Sequence, residues 1–581
     1  MLADLTALTP ADFADAAWED VASWYRELEQ VPLSLENVEA WLQDWSRFES
    51  LVGEAAALAL IAYTSDTTDP VKEAANLRFA GQIIPRMEEQ SLRLADRLLS
   101  LGYRRPDLEV LLRKLRTQRE IFRSESIPLF AEMEELTSQY QKITGGLVVS
   151  WEGEEMTIPQ LQPLLKSPDR AVRERAFQLA SQAYVERRNE LAELFDRLFA
   201  LRTRVATQAG LPDFQAYAFR SKFRFDYAPE DCARFHGAVE AVVVPAVERL
   251  LERRRRRLGV ASLRPWDVGA DPNRRPPVRP FATTEELVAT AGRVFARVSP
   301  AFGREFQVMA DEGLLDLGTR KGKAPGGYCE TLPHRGRPFI FMNAVGVVDD
   351  VSTLLHEAGH AFHAFAARRL PLVWLRHPGL EMCELASMSM ELLAAPYLGR
   401  EEGGFFGPED LARARIEHFE DILISLAHIA SVDAFQSWLY TSGRGGEAGA
   451  RDEAWLSIRG RFERGIDWQG LRPAQIARWY RQLHIFLHPF YYIEYGIAQL
   501  GALQIWRNSL TDPEAAVGRY REALALGDTR PLPELYATAG AALVFDPEEM
   551  RELVALVERH LEAWDTDGVP ASQVEARAQA R

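Results

Sequence analysis

Cysteine is nearly absent from this chain: 581 residues carry three, Cys232, Cys329 and Cys383. They lie far apart and form no C-x-x-C pair, which excludes a disulfide scaffold and points to a reducing compartment or to indifference to one. A chain of this length buries well over half of its unfolded surface and needs no such staples. Lysine is scarce too, seven residues, so the basic charge is nearly all arginine. The N-terminal residues have neither a basic region nor an apolar core, so no signal peptide is expected. The most apolar early stretch, 51–63, contains Glu54 and Gly53 and is too short to span a bilayer. Basic residues are also outnumbered, 68 Lys and Arg against 84 Asp and Glu, a net charge of −16. That argues against nucleic acid as the main partner, because phosphate binding wants a basic surface. The densest basic run, Arg253 to Arg257, reads as the solvated end of a helix. What remains is ordinary for a globular protein, 47% hydrophobic and 26% charged. The expectation is a cytoplasmic protein with no membrane and no nucleic-acid partner.

Most of the chain has helical period. Thr9-Pro10 is expected to open the first helix and Ser34 the second, and Asp69-Pro70 repeats the start signal. Long apolar-periodic runs follow over 86–101, 106–140 and 169–211. The stretch 263–280, with Asp271-Pro272 and Pro276-Pro277, cannot be a helix interior and reads as a connection. Helix resumes near Thr283-Thr284-Glu285-Glu286. One strand region stands out, 315–348, punctuated by Gly322, Gly326 and Gly327. Within it Pro338 to Asn343 is a short apolar run between turn residues. Helix then returns from Asp350 almost to the end. The fold class is mainly α with a small β-sheet in the middle.

His356-Glu357-Ala358-Gly359-His360 is the sharpest feature. Val351, Leu354, Leu355, Phe362 and Phe365 flank it at helical spacing, with Asp349 or Asp350 as the expected N-cap. Residues i and i+4 share a helix face, so two imidazoles can bind one tetrahedral zinc. Glu357, beside the first ligand, is placed to take a proton from water at the metal.

Zinc needs a third protein ligand and an open fourth position. His363 lies seven residues after His356, about 10 Å along a straight helix, and is expected to pack or to support rather than to bind. The next apolar run holds Glu381, Glu384 and Glu391. Buried acids need partners, so one is expected on zinc and another orienting a ligand histidine. Spacing alone does not rank the three.

With these residues in place, the sequence resembles the thimet-oligopeptidase and oligoendopeptidase F family of zinc peptidases over most of its length. The resemblance is strongest from Arg320 through Gly326-Gly327-Tyr328 and Pro338–Asn343 to the Asp350–His363 segment. Leu483 to Gly501 and Ser65-Asp66-Thr67-Thr68-Asp69 also look like the family. Glu384-Leu385-Ala386-Ser387 matches the family's third-ligand segment, which makes Glu384 the metal ligand and Glu381 and Glu391 supporting acids. The family also has a His at the position of His363, which implies a shared supporting role. The resemblance further implies two helical halves enclosing a deep channel, with the small sheet near the zinc-binding helix. It suggests an N-terminal helical region over 1–190 and a helical catalytic domain over 191–565, while the polar residues that follow read as a flexible tail over 566–581.

The family steadies the tetrahedral intermediate with a His and Tyr residues from a late segment. His484, Tyr492 and Tyr495 come close to that pattern, and His488 and Tyr491 are neighbours that could take these roles. The implied protein is an endopeptidase with one zinc per chain, His356, His360 and Glu384 as ligands and Glu357 as the base, acting on short unstructured peptides. The glycines of Gly326-Gly327-Tyr328 would let a substrate backbone approach, with Tyr491 a further substrate contact. The strand Pro338–Asn343 would pair with an extended substrate. A helical zinc carboxypeptidase and a non-enzymatic scaffold are the alternatives.

Overall fold

Some helix starts fall where the start signals stand, and others lie further along the chain. In the computed structural model, which describes residues 5–320, 322–324 and 326–565, the Asp69 carboxylate accepts from the amides of Val71 and Lys72 and opens the helix Pro70–Arg78. Thr9-Pro10 opens only a single 3-10 turn, Pro10–Phe13, closed by Asp12 Oδ2 accepting from the Thr9 amide at 2.7 Å. The first α-helix is Trp18–Gln30. Ser34 likewise begins a turn, its amide held by Asn37 Oδ1 at 2.8 Å, and the helix proper is Val38–Ser65. The run 106–140 is broken at Phe122–Arg123 into Glu109–Ile121 and Ile127–Gly145, and 169–211 is broken at Arg187. The connection 263–280 carries only a short 3-10 turn, Pro265–Asp267, and helix resumes at Thr284 with Thr283 as its cap. The mainly α expectation holds, with a small sheet beside the motif helix.

Five short strands are present among the described residues. β1 (Val148–Trp151) and β2 (Glu154–Thr157) form an antiparallel hairpin that the sequence reading missed. Its two-residue turn, Glu152-Gly153, has φ of 54° and 92°. A hairpin turn of that hand favours Asn-Gly or Asp-Gly, and Glu-Gly gives little signal. The second sheet has strand order β3-β5-β4 (Leu315–Gly318, Arg337–Ala344, Tyr328–Leu332). β5 contains the expected strand, but it is central, parallel to β3 and antiparallel to β4. Both its edges are already hydrogen-bonded, so it cannot accept a substrate as an added strand, and that expectation is corrected.

The contacts divide the chain into two compact units, each drawn from three segments. The first comprises described residues 5–119, 278–414 and 501–543. Its N-terminal helices bury Trp41, Trp45, Phe48 and Leu51 together with Leu372 and Leu375, and the rings of Trp45 and Trp374 lie 4.5 Å apart. The motif helix Val348–Ala367 packs on β4 and β5 on one side and on the helices Leu380–Ala394 and Pro513–Leu526 on others. Ser65–Asp69 braces this sheet. Thr67 donates its amide and hydroxyl to Gly322 O, at 2.7 and 2.8 Å, and Ser65 Oγ donates to Asp316.

The second unit comprises described residues 120–277, 415–500 and 544–565. It is held by aromatic stacking around Trp479 and by buried ion pairs. Asp267, fully buried, accepts from Arg170 and Arg173 and so anchors the 263–280 connection. The basic run Arg253–Arg257 lies in the last turns of Val244–Leu258, as expected, but is not simply solvated. Arg254 pairs with Glu420, Arg255 and Arg256 with Glu252, and Arg257 with Asp565. The helix Pro408–Thr441 is long and apolar enough to cross a membrane, but 67% of its apolar window is buried in the protein, the pattern of a core helix. The expected tail, 566–581, lies outside the described residues.

Candidate active site

The motif helix is started from inside. Neither Asp349 nor Asp350 is its N-cap; that position is Val347. Instead Asp350, in the first turn, accepts from the amides of Val345, Gly346 and Val347 at 2.8, 2.7 and 2.9 Å. Three otherwise bare donors are satisfied by one carboxylate at the positive end of the helix. The helix is buried along most of its length, including Leu354, Leu355, Ala358 and Phe362.

The next helix, Leu380–Ala394, crosses it in direct backbone contact. A methyl group at Gly359 would come within 2.5 Å of Ser387 Cα and 2.6 Å of the Ala386 carbonyl oxygen. Only glycine permits this approach, and it brings the carboxylates of one helix onto the imidazoles of the other. The Tyr520 hydroxyl donates to Ala386 O at 2.7 Å and the Tyr536 hydroxyl to Glu381 O at 3.0 Å, both buried. These two phenols tie down the second helix, and nothing in the sequence pattern announced them. Gly359 itself did leave a signal, because glycine in a helix interior costs about 1 kcal/mol and wants a packing reason.

Of the predicted residues, the structure brings His356, His360 and Glu384 together. Their donor atoms all lie within 4.8 Å of one another. Glu384 Oε2 is 3.3 Å from His356 Nε2 and 3.8 Å from His360 Nε2. Two ligand atoms each ~2.1 Å from a tetrahedral ion sit about 3.4 Å apart, so this N₂O set fits a metal ion. Ser387 Oγ donates to Glu384 Oε2 at 3.1 Å. On the far side of the first imidazole, His356 Nδ1 meets Glu391 Oε1 at 2.7 Å.

The electrostatics agree with the geometry. Burial acts to lower the His356 pKa, yet Glu384 and Glu391 raise it well above the ordinary imidazole value. The cluster therefore attracts positive charge. Burial holds His360 down to about 4, so it stays a neutral donor. Burial also pushes the Glu357 carboxyl up to about 7, with His356 opposing and Glu384 and Glu391 adding to the rise. Glu357 is 8% exposed and adjoins the ligand set.

The other predicted residues take separate places. His363 is buried, burial holds its pKa down to about 3, and its Nε2 meets no hydrogen-bond partner among the described residues. It is not in the convergent set. Glu381 is turned back over Gly379 at the start of its helix, its Oε2 within 2.7 Å of where a Gly379 methyl would be. Gly327 passes 3.4 Å, measured from the position of an added methyl, from Phe341 O. Tyr328 stacks on Phe341 at 4.8 Å, and its hydroxyl is 2.7 Å from Thr64 Oγ1, so its side chain fastens the glycine loop to the helix Val38–Ser65. Burial pushes the Cys383 thiol up to about 12 and Cys329 well above its usual range, so both are inert thiols.

In the second unit, His484, Tyr491, Tyr492 and Tyr495 form one ring cluster. The His484 ring lies 4.7 Å from Tyr492, 5.9 Å from Tyr491 and 6.0 Å from Tyr495. His488 is 6.2 Å from His484. Behind this cluster stand His428, Arg459 and Gln482, which the sequence reading did not single out.

A helical fold whose motif helix presents two imidazoles beside a buried glutamate, with a third ligand carboxylate brought in by the helix that crosses it, defines the class of metallopeptidase. The chain belongs to peptidase family M3, whose model matches residues 163–552. Its backbone is similar to PZ peptidase A, solved with an inhibitor: 28% identity, TM-score 0.87, covering 95% of this chain and 99% of that one. An oligoendopeptidase F of Bacillus anthracis is 25% identical with TM-score 0.82, over 95% of this chain and 97% of that one. The plasmid-borne oligoendopeptidase F of Lactococcus lactis subsp. cremoris is 24% identical over 442 residues, 70% of this chain and 67% of that protein. Group B oligopeptidase PepB of Streptococcus agalactiae is 26% identical over 260 residues, 42% of this chain and 40% of that protein. The chain thus spans about two fifths of PepB and two thirds of the plasmid enzyme.

Proposed function

We propose that this chain is a zinc-dependent endopeptidase that cuts internal bonds of short, unstructured oligopeptides. The observation that carries the reading is the convergence of His356, His360 and Glu384 beside the buried Glu357. The names of its oligoendopeptidase relatives support the substrate class.

His356, His360 and Glu384 would hold one zinc per chain. When bound, zinc supplies Lewis-acid polarisation of the peptide carbonyl and makes water easier to deprotonate. Glu391 keeps a proton on His356 Nδ1, which leaves Nε2 as a lone-pair donor. Glu357 would take the proton of the attacking water and pass it to the leaving amine. A carboxyl near 7 is matched to both tasks. The family resemblance assigns stabilisation of the carbonyl oxygen to Tyr492, Tyr495 and His484, with Tyr491 and His488 as alternates. Losing one such donor costs about 3–4 kcal/mol of barrier. Gly326 and Gly327 would face the substrate backbone, and His363 and Glu381 would support the ligand helices. The scarcity of cysteine supports a cytoplasmic location.

The test is digestion of a mixed peptide pool, with and without chelator, read by mass spectrometry and paired with elemental analysis. Internal cuts that vanish with chelator, and one zinc per chain, are expected. Well under one equivalent of any transition metal would overturn the reading. A peptide amidated at its C-terminus separates the carboxypeptidase alternative, since an endopeptidase still cuts it. A ladder of peptides from about 5 to about 40 residues sharing one cut site checks the length limit. Undiminished rates on the longest peptides would remove the restriction to short substrates and leave the zinc chemistry standing.

A further inference from the structure

One line of hydrogen bonds in the second unit has a direction that chemistry forces. A guanidinium only donates. Arg459 Nη1 donates to His428 Nδ1 at 2.8 Å, so that nitrogen is the acceptor. A neutral His428 must then carry its proton on Nε2, which donates to Gln482 Oε1 at 3.1 Å. This fixes the Gln482 amide, because the reverse orientation would set two donors against each other. Gln482 Nε2 therefore points at His484 Nδ1, 3.1 Å away, and donates to it. His484 Nδ1 is thus an acceptor, and its proton resides on Nε2.

The relay is rigidly held at its origin. Arg459 is 4% exposed. It also donates to Ser431 Oγ at 2.7 Å and to Glu463 Oε1 at 2.5 Å. Arg478 grips the same carboxylate at 2.6 and 2.7 Å. At the far end, Gln482 donates its amide to Trp479 O and receives the Ile485 amide, so its backbone is fixed on both sides. Burial, with Arg459 and Arg478 adding, holds the His428 pKa down to about 3, which keeps it in the neutral state the relay needs.

We propose that Arg459, His428 and Gln482 are positioning residues that fix neutral His484 as its Nε2–H tautomer, ready to donate to negative charge on the substrate carbonyl oxygen. This rests on the reading of His484 as a donor to that oxygen. Without the relay a neutral imidazole can carry its proton on either nitrogen.

The experiment uses the full chain labelled with ¹⁵N-histidine. Two-bond ¹H–¹⁵N correlation distinguishes Nδ1–H, Nε2–H and imidazolium, and His484→Gln identifies the His484 signal. The wild type is expected to show Nε2–H at His484. Gln482→Glu replaces the donor with a group that only accepts, so the proton should appear on Nδ1. Its kcat should fall, approaching the ~10²–10³-fold loss of one oxyanion donor, with KM within about threefold. An Nδ1–H signal in the wild type overturns the proposal, and so does an unchanged His484 signal in Gln482→Glu. If that variant does not fold, the wild-type spectrum alone decides. Wild-type kcat in His484→Gln overturns instead the underlying reading of His484, whatever the spectra show.

Discussion

The Nδ1 of His356 lies 2.7 Å from the Glu391 carboxylate, seven residues beyond the Glu384 whose oxygen faces the same imidazole's Nε2. One helix therefore grips both nitrogens of a single ring, the near one for a metal and the far one for orientation. Glu391→Gln should keep the fold and weaken metal binding by about 10- to 100-fold, the usual effect of losing such an outer partner. Metal competition titration against a chelator reads this directly. An unchanged affinity would show that the ring is held by packing alone.

Glu357→Gln preserves shape and removes the proton acceptor. Metal content should match wild type while kcat falls at least the ~10²–10⁴-fold typical of general acid–base catalysis. Near wild-type turnover would exclude Glu357 as the base.

Two glycines in helices of the first unit should answer alanine with opposite sign. Gly359→Ala drives a methyl to within 2.5 Å of the Ser387 backbone, where no rotamer can yield, and should cost about 1–3 kcal/mol or more. Gly518, exposed in the middle of Pro513–Leu526, has nothing within 4 Å of an added methyl. Gly518→Ala should stabilise by about 0.4–1 kcal/mol. Thermal denaturation of both variants tests the pair; similar shifts would deny the close helix contact.

Burial tends to raise the Glu463 carboxyl, but Arg459 and Arg478 override it and hold it at about 2, below its ordinary 4.5. A depressed carboxylate stabilises the fold above its unfolded pKa and loses that contribution as pH falls through the folded one. The denaturant midpoint of Glu463→Gln should therefore lie below that of wild type at pH 7, and the gap should close between pH 4.5 and 2. A gap that persists at pH 2 would mean that shape rather than charge holds this site.

Local order alone made several features legible. His356, His360 and Glu357 are set by a four-residue spacing within one helix, and helical period fixes which residues share a face. The strand Pro338–Asn343 was readable from its apolar run, but its place in the sheet was not, because being central depends on β3 and β4 pairing to it. Likewise, Ser34 and Thr9 are start signals whose turns closed three to eight residues early, since the competing acceptors Asn37 and Asp12 sit just downstream.

The sequence by itself determined the helical class and the two-histidine motif with its adjacent acid, and, through family likeness, which of three glutamates to choose. The class and the motif are short-range patterns that period and spacing encode, whereas the choice of glutamate came from likeness and not from spacing. Only the tertiary structure separated the roles of the three acids. Glu384 meets both imidazoles, Glu391 takes the back of one, and Glu381 turns to its own helix start, because the rotation and closeness of two helices are set at Gly359 against Ser387. The same holds for Arg459, His428 and Gln482. They come from separate helices and a connection up to 54 residues apart, and a hydrogen-bond direction passes between them only once packing has placed them end to end.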